Sequence, residues 1–438
     1  MNKLNNGTIV SLFDAALKCL MSTMKDLLPY YLEIMPSKVS YKLIDLSVEL
    51  KKIDTFAICI QHWPLTNFDV TNLRNDLSED HYALIFNKLR DNSVKKITKF
   101  DFVGELIWKF GHYNKVDKTF TEFLLNYILK NKQESSCSIA KSRSFQDALK
   151  HCLSVNKKLP PKEEVNVSKQ NALKKTIQMH IQIVVEYQIL DELMIVLRNQ
   201  HNENPTVRLI ISCYFFRWTN STNICKIIQL TDKSELHGID LGFSAMSNNQ
   251  VFDVCEALGK CSQLKNLTWH YGNLKETDFH ALSECISMLP KLNYLDLSMN
   301  HALFSKLKES DPIPFETLTS LILSGCGIDR STMSAFATSC NTFQSIRLLD
   351  LSYNKALRKS KKSLVHFIQS IAAKLQYLDL MHCNIKSKTL SAICESFVES
   401  KQLSVLKLWK NDSSLEYFQD VLYPALKNQS LKEFPPII

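Results

Sequence analysis

Glycine is scarce, nine in 438 residues, and none of the nine builds a phosphate-cradling loop or a nucleophile elbow. A His-Glu-x-x-His pair is also missing, so the familiar nucleotide, zinc-protease and serine-hydrolase sites are excluded and no enzyme is expected. Cys59 and His62 beside Trp63 could be imagined as thiol and base, but a buried helical cysteine is the better reading. No Cys-x-x-C pair occurs, and thirteen cysteines are an odd number. This composition argues for reduced, mostly buried thiols in the cytoplasm or nucleus, against a disulfide framework or zinc site, and for no cofactor or metal. Long apolar runs are missing too. The stretch Leu209–Phe216 stops at Arg217, well short of the roughly 18 residues of a membrane span, so a soluble protein without a membrane partner is expected. Asp14 and Lys18 interrupt the apolar segment from Ile9 to Met21, which disfavours a secretory signal. A net charge of +9 permits an anionic partner without demanding one.

What the chain does have is a repeat. Leucine-type residues followed by Asn or Cys recur in one frame: Leu292, Leu295, Leu297, Asn300; Leu318, Leu321, Leu323, Cys326; Ile346, Leu349, Leu351, Asn354; Leu375, Leu378, Leu380, Cys383; and Leu403, Leu406, Leu408, Asn411. Weaker copies start at Leu236 and Leu264, and a frayed one at Leu431. The starts lie 26 to 29 residues apart, the period of a long leucine-rich repeat. Between the short strands, Leu364, Phe367, Ile368 and Ile371 fall at helical spacing, as do Leu390, Ile393, Cys394 and Phe397. A strand and helix of this size cannot bury their apolar faces alone, so neighbours must stack. The expected fold is α/β: a leucine-rich repeat solenoid, a horseshoe of long ribonuclease-inhibitor-like repeats, with an α-helical N-terminal cap. Asn300, Asn354 and Asn411, with Cys326 and Cys383, should bond or pack against backbone of adjacent coils.

Three regions follow. Residues 1–95 are rich in helical pattern and cap the solenoid. Residues 96–176 hold an irregular first repeat around Ile97, Phe100 and Phe102, then a polar insertion carrying Pro160 and Pro161 that we expect to be partly disordered. Residues 177–438 form the repeat array, with an irregular copy at Val207, Ile210 and Ser212.

Two regions carry functional expectations. In the segment Ser11-Leu-Phe-Asp-Ala-Ala16-Leu-Lys-Cys-Leu20, the apolar residues Leu12, Ala16 and Leu20 fall on or near one helical face. Such a helix either packs on the next one or docks into a partner groove, where one buried leucine contributes roughly 1.5–3 kcal/mol. In the repeats, residues between the leucines point away from the core onto the concave face. There the middle column reads Asp240, Thr268, Asp296, Ile322, Asp350, Asp379 and Lys407, flanked by His270, Tyr294, Tyr377, Met381 and Trp409. Aspartates among aromatics suit a basic or mixed protein client and argue against nucleic acid, because carboxylates repel phosphate. The alternative is that Leu-Asp-Leu serves only strand solubility. Lysine clusters at 355–362 and 157–162 read as solvated faces.

The stretch from Met35 to Val70, with Met35-Pro36 standing 28 residues before Trp63-Pro64, resembles the N-terminal signature of the PRAME-like leucine-rich repeat family. The resemblance runs through "AICIQHWPL", the region from Ile97 to Gly104 and the repeats, and so covers nearly the whole chain. It implies a substrate receptor of a cullin-RING ubiquitin ligase. By that resemblance Ser11, Leu12, Ala16 and Leu20 form the box that binds elongin C of the elongin B/elongin C pair. Met35, Pro36, Val39 and Leu43 form the cullin segment. Ala16 stands where the family has cysteine and Lys38 where it has glutamate. An interaction scaffold without ligase association is the alternative.

Overall fold

A leucine at every second position of each short strand, repeated about every twenty-eight residues, commits the chain to strands that all run the same way. The computed structural model of the protein contains them. It describes residues 12–101 and 177–412, less short stretches between 70 and 98 and between 186 and 206 and single residues at 24, 245, 399 and 401. Ser11, the polar insertion and the frayed copy at Leu431 lie outside the described residues. The chain divides into two units: residues 1–183 with 191–211, and residues 184–190 with 212–438.

The first unit begins with α1 (Leu12–Thr23), α2 (Leu28–Ile34), α3 (Ser37–Glu49) and α4 (Ile53–Gln61), followed by β1 (Asn67–Asp69) and α5 (Glu79–Arg90). Pro36 ends α2 and opens α3, since its ring cannot continue a helix but suits the first turn of the next. Strands β2 (Lys99–Asp101) and β3 (Ile177–Val185) continue in parallel from β1, with Phe68 opposite Phe100 and Phe100 opposite Met179. The copy expected around Phe100 is therefore a strand of this sheet. Trp63 ties helix to sheet. Its ring is buried edge-on against Tyr41 and Phe68, at 4.8 and 4.9 Å, and its Nε1 donates to the Asn67 carbonyl at 2.9 Å. Tyr41 Oη accepts from the Asp69 amide at 2.9 Å, closing the same corner.

The second unit is the leucine-rich repeat array. Its elements are β4 (Val207–Phe216), α6 (Ser221–Leu230), β5 (Gly238–Asp240), α7 (Asn248–Gly259), β6 (Asn266–Thr268), α8 (Phe279–Ser287) and β7 (Tyr294–Asp296). They continue through β8 (Ser320–Ile322), α9 (Arg330–Thr338), β9 (Leu348–Asp350), α10 (Lys361–Ile371), β10 (Tyr377–Asp379), α11 (Ser387–Glu395) and β11 (Val405–Lys407). Every strand pairs in parallel with the next in chain order, and Ile239, Leu267, Leu295, Leu321, Leu349, Leu378 and Leu406 stand opposite one another in register. All are buried, as are the helical stripes from Leu364 to Ile371 and from Leu390 to Phe397. Local signals start the helices: the Asn220 side chain accepts from the Asn223 amide, Ser247 and Gln250 form a capping box, and Asp329 accepts from the Thr332 amide.

Between β7 and β8 no helix forms. Pro312 and Pro314 remove donors there and fix the chain in an extended path. Phe304 and Phe315 fill the space a helix would occupy and meet Phe336 and Phe343 with ring centroids 5.7 and 5.5 Å apart.

The Asn/Cys slot behaves as the sequence implies. Asn300 Nδ2 donates to the Trp269 carbonyl one coil back and to its own Leu297 carbonyl, while Oδ1 accepts from the Leu274 amide. Asn354 and Asn411 repeat the pattern on Leu323 and Leu380. Cys326 and Cys383 supply a thiol donor to the Leu297 and Leu351 carbonyls at 3.0 and 3.1 Å. Replacing the fully buried Asn354 by Ala leaves the Leu323 carbonyl and the Ile328 amide unpaired, so urea unfolding of the chain should show a loss of about 2–4 kcal/mol. Asn354→Cys, which retains one donor, should lose less.

Candidate functional site

Each repeat strand turns three positions away from the leucine core, and the parallel register stacks these into columns. The middle column is the aspartate column. Asp240, Asp296, Asp350 and Asp379 each accept through Oδ1 from the backbone amide two residues on, at 2.7, 2.9, 2.8 and 3.0 Å. One carboxylate oxygen of each therefore caps the turn that follows its strand. This is why aspartate recurs in the Leu-Asp-Leu wording, and it leaves the other oxygen to set the chemistry of the face.

Those second oxygens differ. Asp240 is fully buried and pairs with Arg217, Nη2 to Oδ2 at 2.9 Å. It is thus a structural ion pair and not the client contact the sequence suggested. Tyr294 and Tyr377 are also mostly buried, and the Tyr377 hydroxyl donates to Asp379 Oδ2 at 3.2 Å, so both shape the face from within. Asp296, Asp350 and His270 remain partly accessible, Asp379 is mostly buried, and Trp409 is exposed. Burial pushes the Asp296 and Asp379 carboxyls above the usual carboxylate range. Asp350 is pushed up to about 7 by burial and by the negative charge of Asp379 directly opposite on β10. Among the described residues, neither Asp296 nor Asp350 has an ion-pair partner.

A second column, not anticipated from the sequence, lies at the strand ends just before the Asn/Cys slot. Trp218, Phe243, Tyr271, Met299, Gly325, Tyr353, His382 and Lys410 all have φ between 52° and 63°. This left-handed conformation suits glycine and costs roughly 1–2 kcal/mol for other residues. Only one of the eight is glycine. Aromatic side chains occupy half of the positions and are exposed, 79% for Trp218, 48% for Tyr271 and 46% for Tyr353. They stack on one another: Phe243 lies on Tyr271 at 5.0 Å and 7°, and Trp218 on Phe243 at 5.9 Å and 30°. Farther along, Tyr353 lies on His382 at 4.5 Å. The signal was present in the sequence as bulky residues where a tight turn calls for glycine or asparagine, at the same frame position in every repeat but the one with Gly325.

In the first unit, Leu17 and Met21 of α1 are buried, whereas Cys19 is exposed and Leu20 half-buried. Leu12 and Ala16 lie in α1, but their side chains fall outside the described residues. Met35 and Val39 are half-buried and Pro36 is exposed at the α2–α3 junction. Leu43 is fully buried, so its expected place on a cullin-binding surface is corrected to the core between α3 and its neighbours. The sequence reading passed over an apolar stripe at helical spacing, Leu27, Tyr30 and Ile34, exposed along α2 beside Met35. Cys59 is fully buried, and burial pushes its thiol up to about 12, so at neutral pH it holds its proton.

The PRAME C-terminal domain matches residues 304–433, and the repeats continue in the same frame upstream of that match. Over that region the chain is similar to PRAME-like leucine-rich repeat proteins. Leucine-rich repeat-containing protein 14 of Xenopus laevis is 24% identical over 289 residues, covering 62% of this chain and 56% of that protein. NACHT, LRR and PYD domains-containing protein 14 of Mus musculus is 28% identical over 197 residues, 43% of this chain and 19% of its own length. The chain thus matches about half or less of the length of these relatives. The leucine-rich repeat-containing protein LegL7 of Legionella pneumophila superimposes with a TM-score of 0.36 at 14% identity, over 59% of this chain and 92% of its own, too loosely to carry an argument.

The sign of one electrostatic effect can be checked. A carboxyl held near 7 in the folded chain and near 4 unfolded binds more protons when folded, so its cost to stability is absent below about pH 4, grows as pH rises, and is complete above about pH 7. Asp350→Asn retains an acceptor for the Ser352 amide and removes the charge. The variant should melt above wild type at about pH 8 and show a smaller advantage at about pH 5, as read by calorimetry.

Proposed function

We propose that this chain is the substrate-recognition subunit of an elongin BC–cullin–RING ubiquitin ligase. Its repeats hold a protein client and its N-terminal helices recruit the ligase. The recognition half is supported by the leucine-rich repeats and their likeness to the PRAME C-terminal domain and to a leucine-rich repeat-containing protein, which suggest a protein-interaction module. The reading takes it as non-enzymatic, in the cytoplasm and also the nucleus.

The recruitment half is supported by one observation above the others, the split of α1 into two faces. Leu17 and Met21 of α1 are buried and Cys19 is exposed, while Leu20, about 60° around the helix from Leu17, is half-buried. The exposed stripe of Leu27, Tyr30 and Ile34 beside Met35 and Pro36 adds a second apolar strip in the region where the family resemblance puts the cullin.

Affinity purification of the intact chain should recover elongins B and C together with a cullin. Leu12→Ser should lose all three. Tyr30→Ser with Ile34→Ser, at two exposed positions, should lose the cullin and keep the elongins. Recovery of no elongin by the wild type, under conditions where other adaptors capture it, would instead make the chain an interaction scaffold without ligase association.

A further inference from the structure

The aromatic column is strained backbone carrying exposed apolar surface, a combination that folding alone does not favour. A left-handed position filled by tryptophan costs stability relative to glycine, and its ring, 79% exposed, recovers little of that by burial. Strain of this kind persists where a surface is used.

Beside the column the chain places its own cations over aromatic rings, as Arg217 does over Phe215 at 5.9 Å, but among the described residues none lies over Trp218, Phe243 or Tyr271. Toward the C-terminal end Lys410 Nζ lies 5.1 Å from the centre of the Trp409 ring and Lys407 Nζ lies 5.3 Å from that of Tyr377, both rings flanking the column. Lys407 also offsets the negative charge of Asp379 on the neighbouring strand. Toward the N-terminal end Trp218, Phe243 and Tyr271 form the stack, with His270 edge-on to Phe243 at 5.0 Å. Directly inward, Thr268 stands between Asp240 and Asp296 in strand register. Its hydroxyl is buried and has no hydrogen-bond partner, although an unmade bond of this kind is costly. Arg217 is already engaged by Asp240, and Asp296, opposite Thr268 in strand register, has no ion pair among the described residues and feels only the nearby His270 ring.

We propose that the Trp218–Phe243–Tyr271 stack, with Thr268 and Asp296 beside it, is the docking site for a protein segment that presents arginine or lysine side chains. The partner's cation lies over the aromatic faces as Lys410 lies over Trp409, and its charge is met by Asp296. Charge complementarity fixes the class: the column beside the stack carries aspartates, which repel phosphate and attract guanidinium or ammonium. This deepens the client-recognition half of the proposed function and stands independently of the ligase half.

The test uses the full chain and fluorescence anisotropy at low salt. The probes are a labelled peptide alternating arginine with leucine and serine, the same peptide with glutamate for arginine, and labelled oligothymidine. The arginine peptide should bind and the glutamate peptide should not. Trp218→Gly, Tyr271→Gly and Asp296→Asn should each weaken binding about tenfold or more, equivalent to about 1.4 kcal/mol. The two glycine variants should do so while melting at or above the wild-type temperature, because glycine relieves the positive φ. That pairing of lost binding with retained or raised stability is what a purely structural role would not give. No binding of the arginine peptide, equal binding of the glutamate peptide, preference for oligothymidine, or unchanged affinity in all three variants would overturn the proposal. Elongin capture without peptide binding would defeat this site and leave the ligase reading standing. Peptide binding without elongin would do the reverse.

Discussion

Registration of one coil on the next is the constraint from which the repeat array derives its properties. A polar side chain at the same place in successive repeats reaches back to a backbone carbonyl of the preceding coil, from Asn300, Cys326, Asn354, Cys383 and Asn411 in turn. Where asparagine stands, its other end also satisfies an amide of the loop beneath, as Asn354 does for Ile328. These groups are buried, and a buried amide or carbonyl without a partner costs about 1–3 kcal/mol, so a slip of one coil by one residue would be penalised at several places together. Thiol and amide alternate in the slot because the shared requirement is a donor aimed at a carbonyl.

Registration turns sequence positions into columns, and columns have collective chemistry. A single aspartate at a strand end would be an ordinary turn cap. Stacked at the spacing of parallel strands, both Asp350 and Asp379 are raised in proton affinity by burial, and the charge of Asp379 raises Asp350 further. The chain answers this repulsion with its own cations at the ends of the column, Arg217 at one and Lys407 at the other, while among the described residues Asp296 and Asp350 have no ion pair. A surface with unanswered negative charge beside exposed aromatic rings is poor at being merely soluble and well made for holding a cationic partner.

The N-terminal unit obeys a different economy. Its helices bury Leu28, Leu32, Leu43, Phe56 and Trp63, which accounts for most of their apolar pattern. Left over are Leu27, Tyr30 and Ile34, on a face that the unit's own core does not cover. In the repeats, by contrast, exposed apolar side chains concentrate at the strained turn position. Two separate surplus surfaces, one on helices and one at strand ends, fit a chain that joins a client to other machinery.

The period of the repeat, the parallel direction of its strands and the identity of the leucine core were all written in the sequence, because a spacing of 26 to 29 residues with leucines two apart admits one arrangement of buried columns. The role of Asn and Cys in the turn was legible for the same reason. Which side chains of the outward columns remain available was not. Asp240 looked equivalent to Asp296 in the repeat frame, yet Arg217, 23 residues earlier, closes it off, and Tyr377 turns its hydroxyl onto Asp379. Leu43 shared its spacing with Val39 but lies in the core. The aromatic stack needed the folded chain as well: Trp218, Phe243 and Tyr271 are about a repeat apart in sequence, and only the folded coils, each turning through the same left-handed residue, bring their rings face to face. Periodicity fixes what is buried, since burial follows from the alternation of one strand, whereas contacts between coils depend on side chains that are distant in sequence and meet only after stacking.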